Sequence, residues 1–521
     1  MALSREVTLS IAENLSFQIP EDEVDEYTLL LERMEKNIAV VSAMEDYQPR
    51  PDLAKTPRKN LHLPTAEDNH LGAWAWRFEL SSSAPSRTLL QGKTLCIKDN
   101  ICVADVPCLL GTDTFQDWIP QTDATIVTRI LDAGGVISGK AVCENLSRGA
   151  VSATAATGPV HNPYARGYSV GGSSSGTASL VASGATDMGI GCDQGGSIRI
   201  PAALAGLYGF KATLGLVPYT GIASNDASLD YVGPITTTCL DTAVLLEAIA
   251  GADGLDDRQG AGIPFPSGVP SYSKLLLDSA NEGIRGMRIG ILKEGLPSST
   301  YSNLESKFRD AAAVFERLGA SVHEISIPLH ADAKTLYTVL SKMGNHMGML
   351  GKATGRRQVM LTDLYEKKNT PYSAAVIDKA TSYPVPKEGL LSGEHAWQRY
   401  PCVYPKAVNL SRKLRDLYDE ALTSVDVLVM PTTLDVARPL PPSNATPVQQ
   451  IDTVVGMTDN TCPFNASGHP SLAMPIGFVP AKGDTEVKVP ASMQIVGKFH
   501  DELTIMKIAY AWEQEINWKE F

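Results

Sequence analysis

Three short stretches of the chain hold side chains that could carry out chemistry. The first is Gly191-Cys192-Asp193-Gln194-Gly195-Gly196-Ser197-Ile198-Arg199-Ile200-Pro201. Paired glycines open backbone conformations closed to other residues and let a second group approach closely. A serine directly after them is well exposed. The N–H groups of Gln194, Gly195, Gly196 and Ser197 could line one concavity suited to an oxyanion. On turn preferences alone, a tight structural turn with a capping serine is the commoner use of such residues. The second stretch ends in Lys98, which closes the apolar run Leu95-Cys96-Ile97. A lone lysine there would normally sit on the surface of an edge strand, because lysine is seldom buried without a partner. The third is Y-S-V-G-G-S-S-S-G-T at 168–177. Out of context it is a flexible linker. Here an Ala/Leu/Val helix follows at once, so helix N-terminal N–H groups stand beside a serine cluster.

These stretches need a frame to hold them. An apolar run at 187–191 reads as a buried strand leading into the Gln194 turn. Thr122-Asp123 is expected to cap a helix whose apolar face is Ile126, Val127, Ile130 and Leu131, with Gly134-Gly135 as its stop and a strand from Val136. Another helix is expected through Val181. Strands spaced by helices point to an α/β fold: a large mixed, mostly parallel sheet covered by helices on both faces. Further strands are expected at 286–292, 321–325 and 425–430, with helices at 304–318 and 502–512. Loop-strand pieces at 465–475 and 491–497 return to the same sheet. Residues 251–283 read as a surface crossover. Residues 330–405 are weakly patterned, with Met343, Met347, Met349 and Arg356-Arg357, and suit a variable cap over a site; the methionines are expected to be core filler. At the N-terminus, 21–44 reads as an amphipathic helix and 45–70 as a Pro-rich irregular connection. A helical N-terminal segment over 1–85 and a catalytic domain over 86–521 follow. The segment's role is packing or dimerisation, or it is an inert extension.

Composition excludes several function classes. The 521 residues are 43% hydrophobic and 20% charged, as in an ordinary globular enzyme. A net charge of −13 argues against a nucleic-acid or anionic-membrane partner. No apolar run reaches the ~18 residues of a membrane span, and no signal-peptide layout is present. The eight scattered cysteines read as buried free thiols in a reducing compartment, with the cytoplasm as the default.

The hydrolase options then narrow. There is no H-E-x-x-H and no Cys/His cluster for zinc, so neither metal nor cofactor is expected. Ser197 stands in G-G-S-I-R, which does not fit a G-x-S-x-G elbow. Of nine histidines only His469 merits consideration as a base, and it reads as a loop histidine satisfied by backbone. A serine nucleophile without histidine needs another base, and a buried lysine can serve.

At this point three motifs in order, I-K-D-N at 97–100, G-G-S-S-S-G at 171–176 and D-Q-G-G-S-I-R-I-P at 193–201, resemble the amidase signature family. Their spacing matches the family's usual layout. The resemblance runs from about Leu89 to Ile249 and continues weakly through Val429-Met430-Pro431-Thr432 and Gly468-His469-Pro470. It implies a Ser–cis-Ser–Lys triad: Ser197 as nucleophile, Ser173 as bridge after a cis peptide at Gly172, and Lys98 as a neutral base. It implies oxyanion N–H groups from Gln194, Gly195, Gly196 and Ser197, with Gly172, Ser174, Asp193 and Arg199 in support. Ser175 and Thr177 depart from the commoner glycine and serine, and the relay is expected to survive both changes. The implied activity is hydrolysis of small carboxylic amides to carboxylate and ammonia through an acyl-enzyme, most like stand-alone amidases of the nitrile pathway. The alternatives are a carbamate (urethane) or aryl-acylamide hydrolase with the same triad, a glutaminase subunit of a tRNA-dependent amidotransferase, and an inactive scaffold. The expected partners are a small amide or carbamate and a second copy of the chain in a homodimer, with no nucleic acid and no membrane.

Overall fold

The structure, a computed structural model, describes residues 3–115, 117–353, 358–369 and 384–521. The chain divides into two compact units, Met1–Gln48 and Pro49–Phe521. The first is a pair of helices, Arg5–Asn14 and Val24–Ser42. Ser4 caps the first by accepting from the Val7 N–H at 3.3 Å, and the Thr8 and Thr28 hydroxyls pair at 2.8 Å. Leu30, Met34, Ile38 and Val41 on the longer helix are exposed.

The second unit is built on one twelve-stranded sheet of order β1-β2-β4-β3-β5-β7-β6-β11-β12-β10-β8-β9. Its strands are β1 Arg58–His62, β2 Trp74–Leu80, β3 Thr94–Lys98, β4 Val136–Ala141, β5 Met188–Asp193, β6 Tyr208–Lys211, β7 Tyr231–Thr236, β8 Arg288–Leu292, β9 Ser321–Ile325, β10 Val427–Pro431, β11 Ser471–Ala481 and β12 Asp484–Val496. The helical segment is therefore shorter than the expected 1–85, since two strands of the sheet precede residue 86. Arg-Lys-Asn-Leu-His in β1 is mostly exposed and carries no apolar period, so nothing in the sequence marks it as a strand.

The expected mostly parallel sheet is not what forms. Pairing is parallel in β4-β3-β5 and in β10-β8-β9 and antiparallel at every other junction. Helical crossovers impose parallel pairing only where a helix joins neighbouring strands. Helix Thr125–Asp132 joins the neighbours β3 and β4, and helix Ser175–Ala182 carries the chain from β4 across to the far side of β3 as β5. In the sheet centre, β11 and β12 form a long hairpin across Lys482-Gly483. Prolines 475, 480 and 490 break the alternation that would have betrayed it in sequence.

Other expectations meet local physics. In helix Thr125–Asp132, Ile126, Val127, Ile130 and Leu131 are buried as expected, each burial contributing about 1.5–3 kcal/mol. The cap differs: Ala124 holds that position, while Asp123 accepts from the Ala104 N–H at 2.8 Å and pairs with Arg58. Residues 251–283 include a helix, Tyr272–Asp278. Met343 is buried, and Arg356-Arg357 lies outside the described residues. All eight cysteines are free thiols; seven are buried, but Cys402 is exposed.

Helix Ser175–Ala182 is seated by Gly176. A Cβ there would stand 2.4 Å from the Ala73 carbonyl oxygen and 2.5 Å from the Val142 nitrogen. Both neighbours are backbone adjoining the ends of β2 and β4 and cannot swing away. Gly176→Ala is expected to lower unfolding stability by about 1–3 kcal/mol in denaturant melts. Gly260→Ala, where nothing lies within 4 Å, serves as the control. Equal melts for the two variants would contradict this seating.

Candidate active site

In parallel sheets ligands bind beyond the carboxyl ends of the strands, where the connections part to either side. The chain leaves β3 for β4 on one side, then crosses to β5 on the other. Lys98 is the last residue of β3 and Asp193 the last of β5. The order of the chain thus brings two of the three motifs to one crevice, and helix Ser175–Ala182 brings the third.

Lys98 is 1% exposed, and its Nζ donates to Ser173 Oγ at 2.8 Å and to the Cys192 carbonyl at 3.5 Å. Among the described residues it joins no ion pair. On the neighbouring strand β4, Lys140 is buried against Asp99 at 2.9 Å. Burial is the largest influence and opposes the Lys140 charge, but Asp99 together with Cys108 and Cys102 outweighs it and holds that pKa above the ordinary lysine value. The Gly172–Ser173 peptide is cis, and the Ser173 carbonyl accepts from the Glu144 N–H at 3.1 Å. Ser174 Oγ donates to the Cys192 carbonyl at 3.2 Å and accepts from the Cys192 N–H at 3.3 Å, tying the serine loop to β5. Gly172 is required because a Cβ would press 2.9 Å from Glu144 Cγ.

The nest after β5 is organised by a buried ion pair. Arg199 donates from Nε to Asp193 Oδ2 and from Nη2 to Oδ1, both at 3.0 Å. Burial opposes the Asp193 charge, but Arg199 and Asn465 overcome it and hold the carboxyl at about 2. Asp193 also accepts from the Gly196 N–H at 2.7 Å and the Ile198 N–H at 3.1 Å. This corrects one expectation: the Gly196 N–H is committed to Asp193 and leaves the oxyanion donor set. The N–H groups of Gln194, Gly195 and Ser197 have no hydrogen-bond partner among the described residues. Gly196 has φ +135°, and a Cβ there would meet Thr461 Oγ1 at 2.3 Å. Ser197 is half-buried at the wall of a cavity of about 390 Å³. Among the described residues no hydrogen bond joins its hydroxyl to Ser173.

Several of the residues around the site lie far away in sequence and carried no local signal. Arg199 Nη1 reaches the Thr461 carbonyl and Gln494 Oε1 at 2.8 Å and Ser471 Oγ at 3.1 Å, while Nη2 reaches Asn465 Oδ1 at 2.6 Å. The Gln194 amide is clamped by Asp230 at 3.0 Å and Asn345 at 2.9 Å. Helix His330–Met349 places Tyr337 Oη where a Gly195 Cβ would be. His469 is buried and meets Ser467 Oγ and Asp419 Oδ1, each at 3.1 Å, so side chains rather than backbone satisfy it. Among the described residues no group of three or more His, Cys, Asp or Glu side chains could hold a metal ion, and no helix is long and apolar enough to cross a membrane.

Glu144 is a buried carboxyl beneath the serine loop, with Thr154 Oγ1 donating to it. Burial raises its pKa to about 7, a shift that Thr154 only partly offsets. Between the ordinary glutamate range and about 7 the folded chain keeps this proton after the unfolded chain has lost it, so stability falls as pH rises. Glu144→Gln lacks the proton. Wild-type stability minus that of the variant is expected to fall between about pH 5 and about pH 8 in denaturant melts. A difference that is flat or rises with pH would contradict the shift.

A sequence profile of the Amidase family matches residues 60–506. The chain is 35% identical over 462 residues to the enantioselective amidase of Rhodococcus rhodochrous, covering 87% of this chain and 85% of that one. It is 33% identical over 425 residues to a glutamyl-tRNA(Gln) amidotransferase subunit of Natronomonas pharaonis, covering 81% and 95%. The crystal structure of the peptide amidase from Stenotrophomonas maltophilia superposes with a TM-score of 0.61 at 28% identity, over 82% of this chain and 83% of that one. The chain belongs to the Amidase family, the amidase signature enzymes, and is an amidohydrolase acting on C–N bonds.

Proposed function

We propose that this amidohydrolase cleaves small carboxylic amides through an acyl-enzyme on Ser197, with Ser173 and Lys98 as the proton relay. The observation that carries the reading is the 2.8 Å bond between Lys98 Nζ and Ser173 Oγ at a buried strand end. Lys98 takes the Ser173 proton as Ser173 takes that of Ser197, and Ser197 Oγ attacks the amide carbonyl. The Ser173–Ser197 contact forms when Ser197 turns inward on engaging substrate; such contacts are often open before substrate binds. Charge developing on the carbonyl oxygen meets the N–H groups of Gln194, Gly195 and Ser197. The proton returns along the relay to the leaving nitrogen and ammonia departs. Water then repeats the cycle on the acyl-enzyme and releases the carboxylate.

The identity to amidotransferase subunits supports a second reading, a glutaminase subunit that needs a partner chain. Ammonia release from acetamide, propionamide, benzamide, ethyl carbamate and glutamine by the purified chain separates the readings. Aniline release from an anilide tests the aryl-acylamide alternative. Turnover of simple amides supports a self-sufficient amidase, preference for ethyl carbamate a urethanase, and turnover of glutamine alone the glutaminase. We further propose a cytoplasmic homodimer that uses the helical unit. The reduced thiols and the exposed apolar residues of helix Val24–Ser42 support it, and light scattering on chains with and without residues 1–48 tests it.

Ser197→Ala is expected to abolish turnover. Lys98→Ala is expected to cost about 10²–10⁴-fold in kcat, as for loss of a positioned base. Both rates are to be compared at equal melting temperature. Hydrolysis by Lys98→Ala close to wild type would remove the relay.

A further inference from the structure

Beyond the nucleophile, the cavity has an uneven charge balance. Among the described residues three cations line it: Lys334, Lys342 and Arg148. Lys334 is neutralised by Asp459 at 2.9 Å, and Lys342 by Glu388. Glu388 also accepts from Ser392 Oγ at 2.7 Å, so its two oxygens are occupied. Arg148 is only 7% exposed, yet among the described residues no carboxylate pairs with it. Among the described residues the one hydrogen bond of its guanidinium runs from Nη1 to the Met349 thioether at 2.9 Å, and a thioether is a weak acceptor. Glu388 attracts it electrostatically but forms no hydrogen bond to it, and a buried guanidinium is costly unless a carboxylate both pairs and hydrogen-bonds with it.

The backbone is shaped to put it there. Leu146 and Ser147 hold left-handed φ of 50° and 57°, unusual for residues with a side chain, and turn the chain immediately before Arg148. Strain of this kind collects at functional sites. Gly389 leaves room on the far side, where a Cβ would lie 2.8 Å from Arg148 Nη2. Tyr337, Gln194 and Ser197 line the same cavity, with Ile200, Val454 and Val455 as an apolar wall.

We infer that Arg148 is the recognition group for a carboxylate on the substrate, placed away from the scissile amide and seated in the Ser197 cavity. A guanidinium presents a planar fork that matches a carboxylate with two parallel N–H···O bonds. The partner missing from the protein is thereby supplied by the substrate. This inference deepens the proposed amidase reading and rests on Ser197 acting in this cavity. The hydrolysis itself is unchanged: the C–N bond breaks, water supplies the hydroxyl of the acid and the proton of ammonia, and Arg148 exchanges no proton.

The test has two arms that locate the carboxylate and one that needs no turnover. The first compares kcat/KM for the monoamides of succinic, glutaric and adipic acids with butyramide, valeramide and hexanamide. The second compares N-acetylated amino acids with their methyl amides. Wild type is expected to favour the carboxylate member of one arm, and Arg148→Ala to reduce that preference by about 100-fold, the scale for losing one partner of a buried charged pair. Arg148→Lys is expected to restore part of it. The neutral amides report folding in the same preparation. No preference in either arm, or a preference that survives Arg148→Ala, overturns the inference while leaving the amidase reading intact. If no amide is hydrolysed, that reading fails, and calorimetry of glutarate and adipate binding to the wild-type chain still decides the matter. Binding lost in Arg148→Ala and kept in Arg148→Lys supports the carboxylate site; absence of binding by wild type overturns it.

Discussion

The Asp193–Arg199 pair is the constraint on which the site depends. Two full charges are removed from water, and such a pair survives only when further hydrogen bonds satisfy its remaining donors and acceptors. Here they do. Asp193 holds the Gly196 and Ile198 N–H groups, which sets the curvature of the loop around Ser197. Arg199 spends its outward nitrogens on Thr461, Asn465, Ser471 and Gln494. One ion pair thereby joins the turn after β5 to the start of β11, to β12 and to the segment before them. With the Asp193 carboxyl held at about 2, the pair stays charged throughout the range where proteins are ordinarily folded. Removing either partner would strand the other and cost about 3–5 kcal/mol. The same pair holds the Gly196 N–H and so keeps it from any substrate.

A second layer is added by helix His330–Met349. Asn345 grips the Gln194 amide from a distance of 151 residues in the chain, and Tyr337 closes over Gly195. The same helix carries Lys334 and Lys342 into the cavity wall. The first helix of the 330–405 region expected as a cap touches the loop that carries Ser197. Residues 354–357 and 370–383 of that region lie outside the described residues.

What could be read from sequence follows from where the information lies. Lys98, Ser173 and Ser197 each stand in a short motif that alone has a bland reading, and only the three motifs in order made them candidates. The strand-helix alternation between β3 and β5 was legible as well, and there the parallel expectation holds. It holds again in β10-β8-β9 and fails at the remaining junctions, where hairpins leave a weaker trace: β11 and β12 are interrupted by prolines, and β1 has no apolar period. Asn465, Gln494, Asn345 and Asp230 were invisible because each is an ordinary polar residue in an ordinary setting. Their meaning comes only from contact with Asp193, Arg199 or Gln194. Arg148 was hidden differently, since an arginine in a loop reads as solvated until its burial and missing counter-ion are known.

The account turns on one covalent step at one atom. The most direct measurement is to quench the enzyme during turnover of a slowly deacylated amide and locate the acyl group by peptide mass spectrometry, in wild type and in Lys98→Ala. The acyl mass is expected on the peptide carrying Ser197 in wild type and is expected to accumulate far more slowly in Lys98→Ala. An acyl group on any other residue, or equal accumulation in the two chains, would contradict a Ser197 nucleophile driven through Ser173 by Lys98.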